Sequence, residues 1–338
     1  MRRKYILSFF FGAVIFALLL FFFSRLVEPK YTDEAREGNL IAEYYREIDS
    51  GRTHDVVFIG DCEAYSSFAP PVLYERYGIR SFVRGSPSQS VAQSYYLLCE
   101  TLKYERPRAV IFSVYAMCKE GRSTEAYNRL TLDGMRLSYE KLCAVQKSAN
   151  DGESVLSYYI PLLRFHSRVF ELRESDIKYL FTRPRISHNG YLLEKRIVPF
   201  DEGSMDYSTS VEDLPQENFI YLDKMREECL RRGVELILVK APVCSWRYPW
   251  YSEWDRAISD YAARHGLSYY NLIESSEDIG IDMQGDSYDG GLHLNVYGAE
   301  KTSLYFGGLL SRSHGITGEK NEYWEEKVRK YYNERNDE

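Results

Sequence analysis

Asp55-Val56-Val57-Phe58-Ile59-Gly60-Asp61-Cys62-Glu63-Ala64-Tyr65 is an apolar run of strand length that stops at a glycine and turns at once into a polar stretch. A β-branched and aromatic run without alternation suits a strand covered on both faces, as in a parallel sheet. The same rhythm recurs outward from it. Residues 79–83 and 108–114 read as the second and third strands, with a helix over 88–104 opened by Ser88 between them. After a long interruption come helix 217–232, strand 234–240, helix 251–265, strand 267–272 and helix 296–311. Gly233 and Gly266 stand where two of these helices must stop in a left-handed conformation. Five strands in this alternation predict an α/β fold, a doubly wound, flavodoxin-like parallel five-stranded sheet, with ligands beyond the carboxyl ends of its strands.

The core is therefore expected over 55–117 and 216–312, interrupted at 118–215 by a helical insertion, or cap, with helices over 131–146 and 155–181. Residues 28–54 read as a linker and lead-in helix, and 313–338 as a charged tail with a solvated helix over 322–334. At the start, Arg2, Arg3 and Lys4 precede an uncharged apolar run over 6–23. That is roughly 18 residues, enough to cross a bilayer core of about 30 Å. The pattern predicts a signal anchor over 5–27, with 1–4 in the cytoplasm and the rest outside it, in a single-pass arrangement. A cleaved signal peptide and a buried soluble helix are the alternatives, and residues 21–27 offer no small-residue cleavage site.

A net charge of −7 argues against nucleic acid as a partner. The six cysteines, at 62, 99, 118, 143, 229 and 244, form no CxxC pair and no tight His/Cys cluster, so neither metal nor cofactor is expected. Cys99 and Cys229 fall in helical patterns and read as small packing residues.

The turn after the first strand is where a nucleophile sits in a sheet of this kind. Gly60-Asp61-Cys62-Glu63 resembles the opening block of the SGNH/GDSL hydrolase family, usually Gly-Asp-Ser-Leu, with Cys62 in the serine slot and Glu63 in the leucine slot. Val83-Arg84-Gly85-Ser86-Pro87 is similar to the second block, and Tyr288-Asp289-Gly290-Gly291-Leu292-His293, before the last helix, to the terminal Asp-x-x-His block. The resemblance implies an oxyanion site from the backbone amides of Cys62 and Gly85, with His293 as general base oriented by a carboxylate. Two departures stand out. The family's side-chain amide after strand three is missing; Ser113 lies at about that place, and Asn128 or no third donor are the alternatives. Asp289 precedes His293 by four residues, not three; Gly290 and Gly291 offer room to absorb the extra one, and Asp286 is the alternative orienter.

Cysteine is nucleophilic as the thiolate, so Cys62 needs His293, and its acyl intermediate is a thioester, suited to handing the acyl group on. A buried Cys62 in a domain that has lost catalysis is the competing reading. Asp61, Glu63 and Lys240 stand at strand ends as weaker substrate-binding candidates, Lys240 being either an anion ligand or a solvated lysine. His166 and His188 in the insertion either line the entrance or hydrogen-bond structurally. Trp246, Trp250 and Trp254 either form a sugar-stacking platform or pack the cap.

Anchor, fold and acyl chemistry together resemble the extracytoplasmic SGNH-like proteins that work beside a membrane-bound O-acyltransferase, such as D-alanine-transfer proteins of teichoic acid assembly and polysaccharide acetyltransferases. The resemblance implies such a partner and transfer of an acyl, acetyl or D-alanyl group to a cell-envelope polysaccharide or teichoic-acid-like acceptor. An SGNH-type esterase or deacetylase acting on envelope glycans, and a non-catalytic scaffold binding a glycan or partner, are the alternatives.

Overall fold

The computed structural model describes residues 2–30, 40–182, 184–205 and 214–337. Its strands are β1 (Val56–Gly60), β2 (Ser81–Gly85), β3 (Ala109–Ser113), β4 (Glu235–Lys240) and β5 (Ser268–Asn271). They form one parallel sheet in the order β2-β1-β3-β4-β5. The chain reverses direction across the sheet between β1 and β3, and the crevice beyond their carboxyl ends is where such sheets bind ligands.

The helices are α1 (Arg2–Val27), α2 (Leu40–Asp49), α3 (Cys62–Ser67), α4 (Pro70–Tyr77), α5 (Val91–Tyr104), α6 (Glu125–Leu132), α7 (Tyr139–Ser148), α8 (Leu162–Phe165), α9 (Glu174–Phe181), α10 (Gln216–Arg232), α11 (Tyr251–His265), α12 (Ser276–Ile279), α13 (Val296–His314) and α14 (Glu322–Asn336). Alternate residues of each strand point to opposite layers. Val57, Ile59, Val110, Phe112, Leu236 and Leu238 pack with α5, α10 and α11. Val56, Phe58, Ala109, Ile111, Ile237 and Val239 pack with α3, α4 and α13. Each large apolar side chain buried in this way contributes about 1.5–3 kcal/mol. Helix α10 ends at Gly233 (φ +63°) and α11 at Gly266 (φ +65°), as expected from the sequence.

Several expectations are corrected. The second strand lies two residues later than 79–83 and so takes in Arg84, which is fully buried and paired to Glu100 at 2.8 Å. That ion pair offsets the cost of a charge inside a strand. The helix expected over 131–146 is two, because Gly134 leans on Ile41 and Ser138 caps a new start by accepting from Lys141 N. The helix expected over 155–181 breaks into the 3-10 turns Val155–Tyr158 and His166–Phe170 with α8 and α9, Pro161 standing at the head of α8. Helix α14 is docked, with Trp324 stacked on Tyr74 at 5.2 Å and Tyr331 buried. Trp250, at the head of α11, and Trp254, on its first turn, are core residues, and of the three tryptophans only Trp246 is exposed.

The segment Lys4–Val27 of α1 is apolar and long enough to cross a membrane, with a mean hydropathy of 2.8 over its most apolar window. Its last turn enters the folded domain, where Leu26 and Val27 are buried.

Candidate active site

Strand β1 ends in Gly60, whose Cα sits so close to Ser113 that an added Cβ would lie 2.6 Å from the serine Cβ. No other residue fits between β1 and β3 here, and the chain turns directly into α3. Asp61 caps that helix through Glu63 N at 3.2 Å, and Cys62 is its first residue, half-buried at the open end of the sheet. On the other side Gly85 ends β2 against the Gly60 and Asp61 carbonyls, each 3.2 Å from where its Cβ would stand. The ends of β2, β1 and β3 thus meet around the Cys62 turn.

The histidine arrives from the segment before α13. Ser287 and Leu294 close a short antiparallel bridge, and Gly290 and Gly291, both at positive φ, carry the chain round between them. Within this loop Asp289 reaches His293 twice: Oδ1 accepts from the backbone N at 2.8 Å and Oδ2 lies 2.5 Å from Nδ1. The Nδ1 contact fixes the ring orientation and leaves Nε2 for chemistry. The Cys62 side chain lies close enough to His293 to act on its charge, and the Tyr288 ring stacks on the imidazole at 5.6 Å and 10°. Burial by itself would push the imidazole down, but charge on the Cys62 sulfur, Tyr288 and the Asp289 contact outweigh it and hold His293 well above the ordinary histidine range.

This has a consequence for stability. A histidine that titrates higher in the folded than in the unfolded chain stabilises fully below the unfolded value of about 6.5, and that contribution is lost as pH rises through the folded value. Urea denaturation at stepped pH from about 6 upwards is expected to show this loss in the wild type and a flatter profile in His293→Gln.

The loop is braced from outside. Ser287 Oγ accepts from Gly291 N at 2.7 Å, and Gly291 O accepts from Cys244 N at 2.9 Å. Asn295 caps α13 by accepting from Tyr297 N and Gly298 N, while its Nδ2 donates to the Arg196, Gly285 and Ser287 carbonyls. At Gly291 (φ +106°) an added Cβ would lie 2.7 Å from Phe200 and 2.8 Å from Cys244 Sγ. Gly291→Ala is therefore expected to cost about 1–3 kcal/mol in urea denaturation and to shift the Asp289–His293 loop.

Sequence reasoning missed Lys119 and gave Lys240 the wrong role. Lys119, in the connection after β3, donates to Asp61 Oδ2 at 3.0 Å, and Lys240, at the end of β4, donates to both Glu63 oxygens at 2.7 and 2.9 Å. The residues on either side of Cys62 are thus each held by an ion pair from a neighbouring strand end, with the Tyr115 ring 5.2 Å from both ammonium groups. Lys240 is neither a solvated lysine nor free for an anion: it is fully buried. Glu63 is buried as well, and desolvation, only partly offset by Lys240, keeps its carboxyl above the usual range.

Other candidates lie apart from this cluster. Asp286 pairs with Lys301 at 2.7 Å and accepts from Asp282 N, so it does not orient His293. His188 contacts Glu334 at 3.1 Å and meets the Tyr331 ring edge-on, a structural position. His166 is exposed on the turn beside the end of α1. Asn128 is held by Gln93 and by the Ser123 and Ser148 carbonyls inside the cap. Ser113 is buried, its hydroxyl without a hydrogen-bond partner. All six cysteines are free; burial raises the thiols of Cys118 to about 12 and Cys244 to about 11.

No protein-family model matches the chain, and no curated protein does. Among solved structures it is similar to a Bacteroides fragilis protein assigned as an acylhydrolase, at 11% identity and a TM-score of 0.42, over 83% of this chain and 99% of the other. It is also similar to a GDSL-like lipase from Bacteroides thetaiotaomicron, at 12% identity and a TM-score of 0.39, over 81% and 99%. At these scores the likeness adds nothing to what the strand order itself shows.

Proposed function

We propose that the protein is an enzyme of covalent acyl transfer, in which Cys62 takes an acyl group as a thioester and passes it to a hydroxyl of a cell-envelope polymer outside the cytoplasm. The observation that carries this reading is a single imidazole that lies beside Cys62 and is held by Asp289 at 2.5 Å. In the forward step His293 takes the Cys62 thiol proton as the sulfur attacks the acyl carbonyl, the carbonyl π electrons move to its oxygen, and the amides of Cys62 and Gly85 receive that oxyanion, with the Ser113 hydroxyl as a third donor. Collapse expels the leaving group, which takes a proton from the imidazolium. Neutral His293 then removes the proton of the incoming hydroxyl as it attacks the thioester, and returns it to the departing sulfur. Asp289 holds the ring throughout.

The flanking positive charge at Arg2, Arg3 and Lys4 supports placing the domain outside the cytoplasm, with α1 as a single-pass anchor. A single span provides no path for an acyl group through the bilayer, so a membrane-bound O-acyltransferase is the proposed donor, and a polysaccharide or teichoic-acid-like chain the acceptor. Intact-mass spectrometry of the detergent-solubilised full chain after incubation with an activated acyl ester tests this. An adduct mapping to Cys62 that is discharged faster by a sugar hydroxyl than by water supports transfer. Discharge to water alone supports an esterase, and no adduct overturns the covalent mechanism.

A further inference from the structure

The part of the cap at residues 162–181 is rich in apolar side chains but buries very few of them. Helix α8 and the 3-10 turn His166–Phe170 contain no buried residue, although Leu163, Val169 and Phe170 lie on them. Phe170 is 92% exposed and Phe181, at the end of α9, 82% exposed, with Ile177 also uncovered. Large exposed apolar groups that cluster in one place mark an interaction surface.

The location of the cluster selects the partner. α8, α9 and the turn His166–Phe170 all pack against α1. Arg168 Nη1 donates to the Val27 carbonyl at 2.9 Å and also to that of Glu28, closing the carbonyl end of α1, while its Nη2 donates to Asp176 Oδ1 at 3.0 Å. Lys30 lies 5.4 Å from the centre of the Tyr179 ring. The segment is thus fastened round the last turn of α1, next to the exposed Phe21, Phe22 and Phe23. Its cations Arg164, Arg168, Arg173 and Lys178 stand among aromatic and aliphatic residues and the acids Glu171, Glu174 and Asp176, and Arg168 pairs with Asp176 and Lys178 with Glu174. The exposed apolar groups, which settle about 5–10 Å into the boundary between headgroups and acyl chains, therefore carry the contact, not net charge.

We propose that residues 162–181 form a membrane-surface collar, docked by Leu163, Val169, Phe170, Ile177 and Phe181 onto the lipid where α1 leaves the bilayer. Lipid is the occupant because a helix crossing a bilayer brings its own ring of lipid against whatever is bound to its last turn. The collar rests on α1 being a span and is independent of the chemistry at Cys62. It ties the domain to the membrane at a second point and so limits its rotation about α1.

The test is photo-crosslinking of the full chain in nanodiscs of phosphatidylcholine and phosphatidylglycerol, with p-benzoylphenylalanine replacing, one at a time, Phe16 in α1, Phe170, Phe181, and Leu304 on α13. The last lies on the sheet face away from α5, against which the cap packs. Lipid-mass adducts at positions 16, 170 and 181 and none at 304 are expected. An adduct at 16 without one at 170 or 181 overturns the collar and leaves the anchor standing. Absence of an adduct at 16 overturns the span and the collar with it. Adducts at 304 as well would mark unspecific lipid contact and overturn the collar. In native membranes, protein in place of lipid at 170 and 181 would reassign the surface to a protein partner.

Discussion

Replacing His293 by alanine is expected to slow acylation of Cys62 by about 10²–10⁴-fold, the usual contribution of a positioned general acid–base. The imidazole lies beside the Cys62 sulfur, and it is held there by Asp289 and the stacked Tyr288 ring. Asp289→Asn separates orientation from presence. The ring stays, but an amide can donate to Nδ1 and favour the tautomer with the proton on Nε2, the wrong side for a base, so a loss of up to about 10⁴-fold is expected. Single-turnover acylation followed by mass spectrometry measures both. Far-ultraviolet circular dichroism unchanged from wild type excludes misfolding as the cause. Wild-type rates in both variants would overturn the catalytic assignment and favour a scaffold that grips a glycan or a membrane partner.

The second large effect concerns stability. Lys240→Ala is expected to cost about 3–5 kcal/mol, because it leaves the Glu63 carboxylate buried without its cation. The Lys240→Met, Glu63→Gln double variant is expected to recover most of that loss, since the remaining groups carry no charge to desolvate. Urea denaturation decides, and its pH dependence carries a sign. The Glu63 carboxyl titrates above its unfolded value, so the folded chain holds the proton more tightly and stability falls as pH rises through the carboxylate range. Without Lys240 this fall steepens, and the defect of Lys240→Ala shrinks as pH is lowered. A loss that is small and flat with pH would overturn the view that this pair sets the floor of the site. Because Glu63 follows Cys62 on the first turn of α3, the same variant is also expected to slow acylation beyond its effect on stability.

Much of this was legible in the sequence because it depends on neighbours along the chain. Runs such as 55–60 and 234–240 are apolar on both faces, so they require helices on both sides whatever the rest of the molecule does. A glycine directly after a periodic helical stretch stops it, as at Gly233 and Gly266. The glycine turn before Cys62 and the Asp289–His293 spacing are local too, and each marked a strand end or a helix start where the structure has one.

What tertiary structure alone decided is which distant groups share a low-dielectric space. Lys240 is 177 residues from Glu63, and Lys119 is 58 from Asp61. In the sequence each is an ordinary charge, and the cost of burying it becomes visible only once the ends of β1, β3 and β4 lie side by side. The same holds for Arg84 with Glu100, for the break of 131–146 where Gly134 meets Ile41, and for the placing of Asp289 over Asp286, which follows from Lys301 engaging the latter. Periodicity reports the face a residue turns towards, whereas the partner waiting on that face is set by the topology of the sheet.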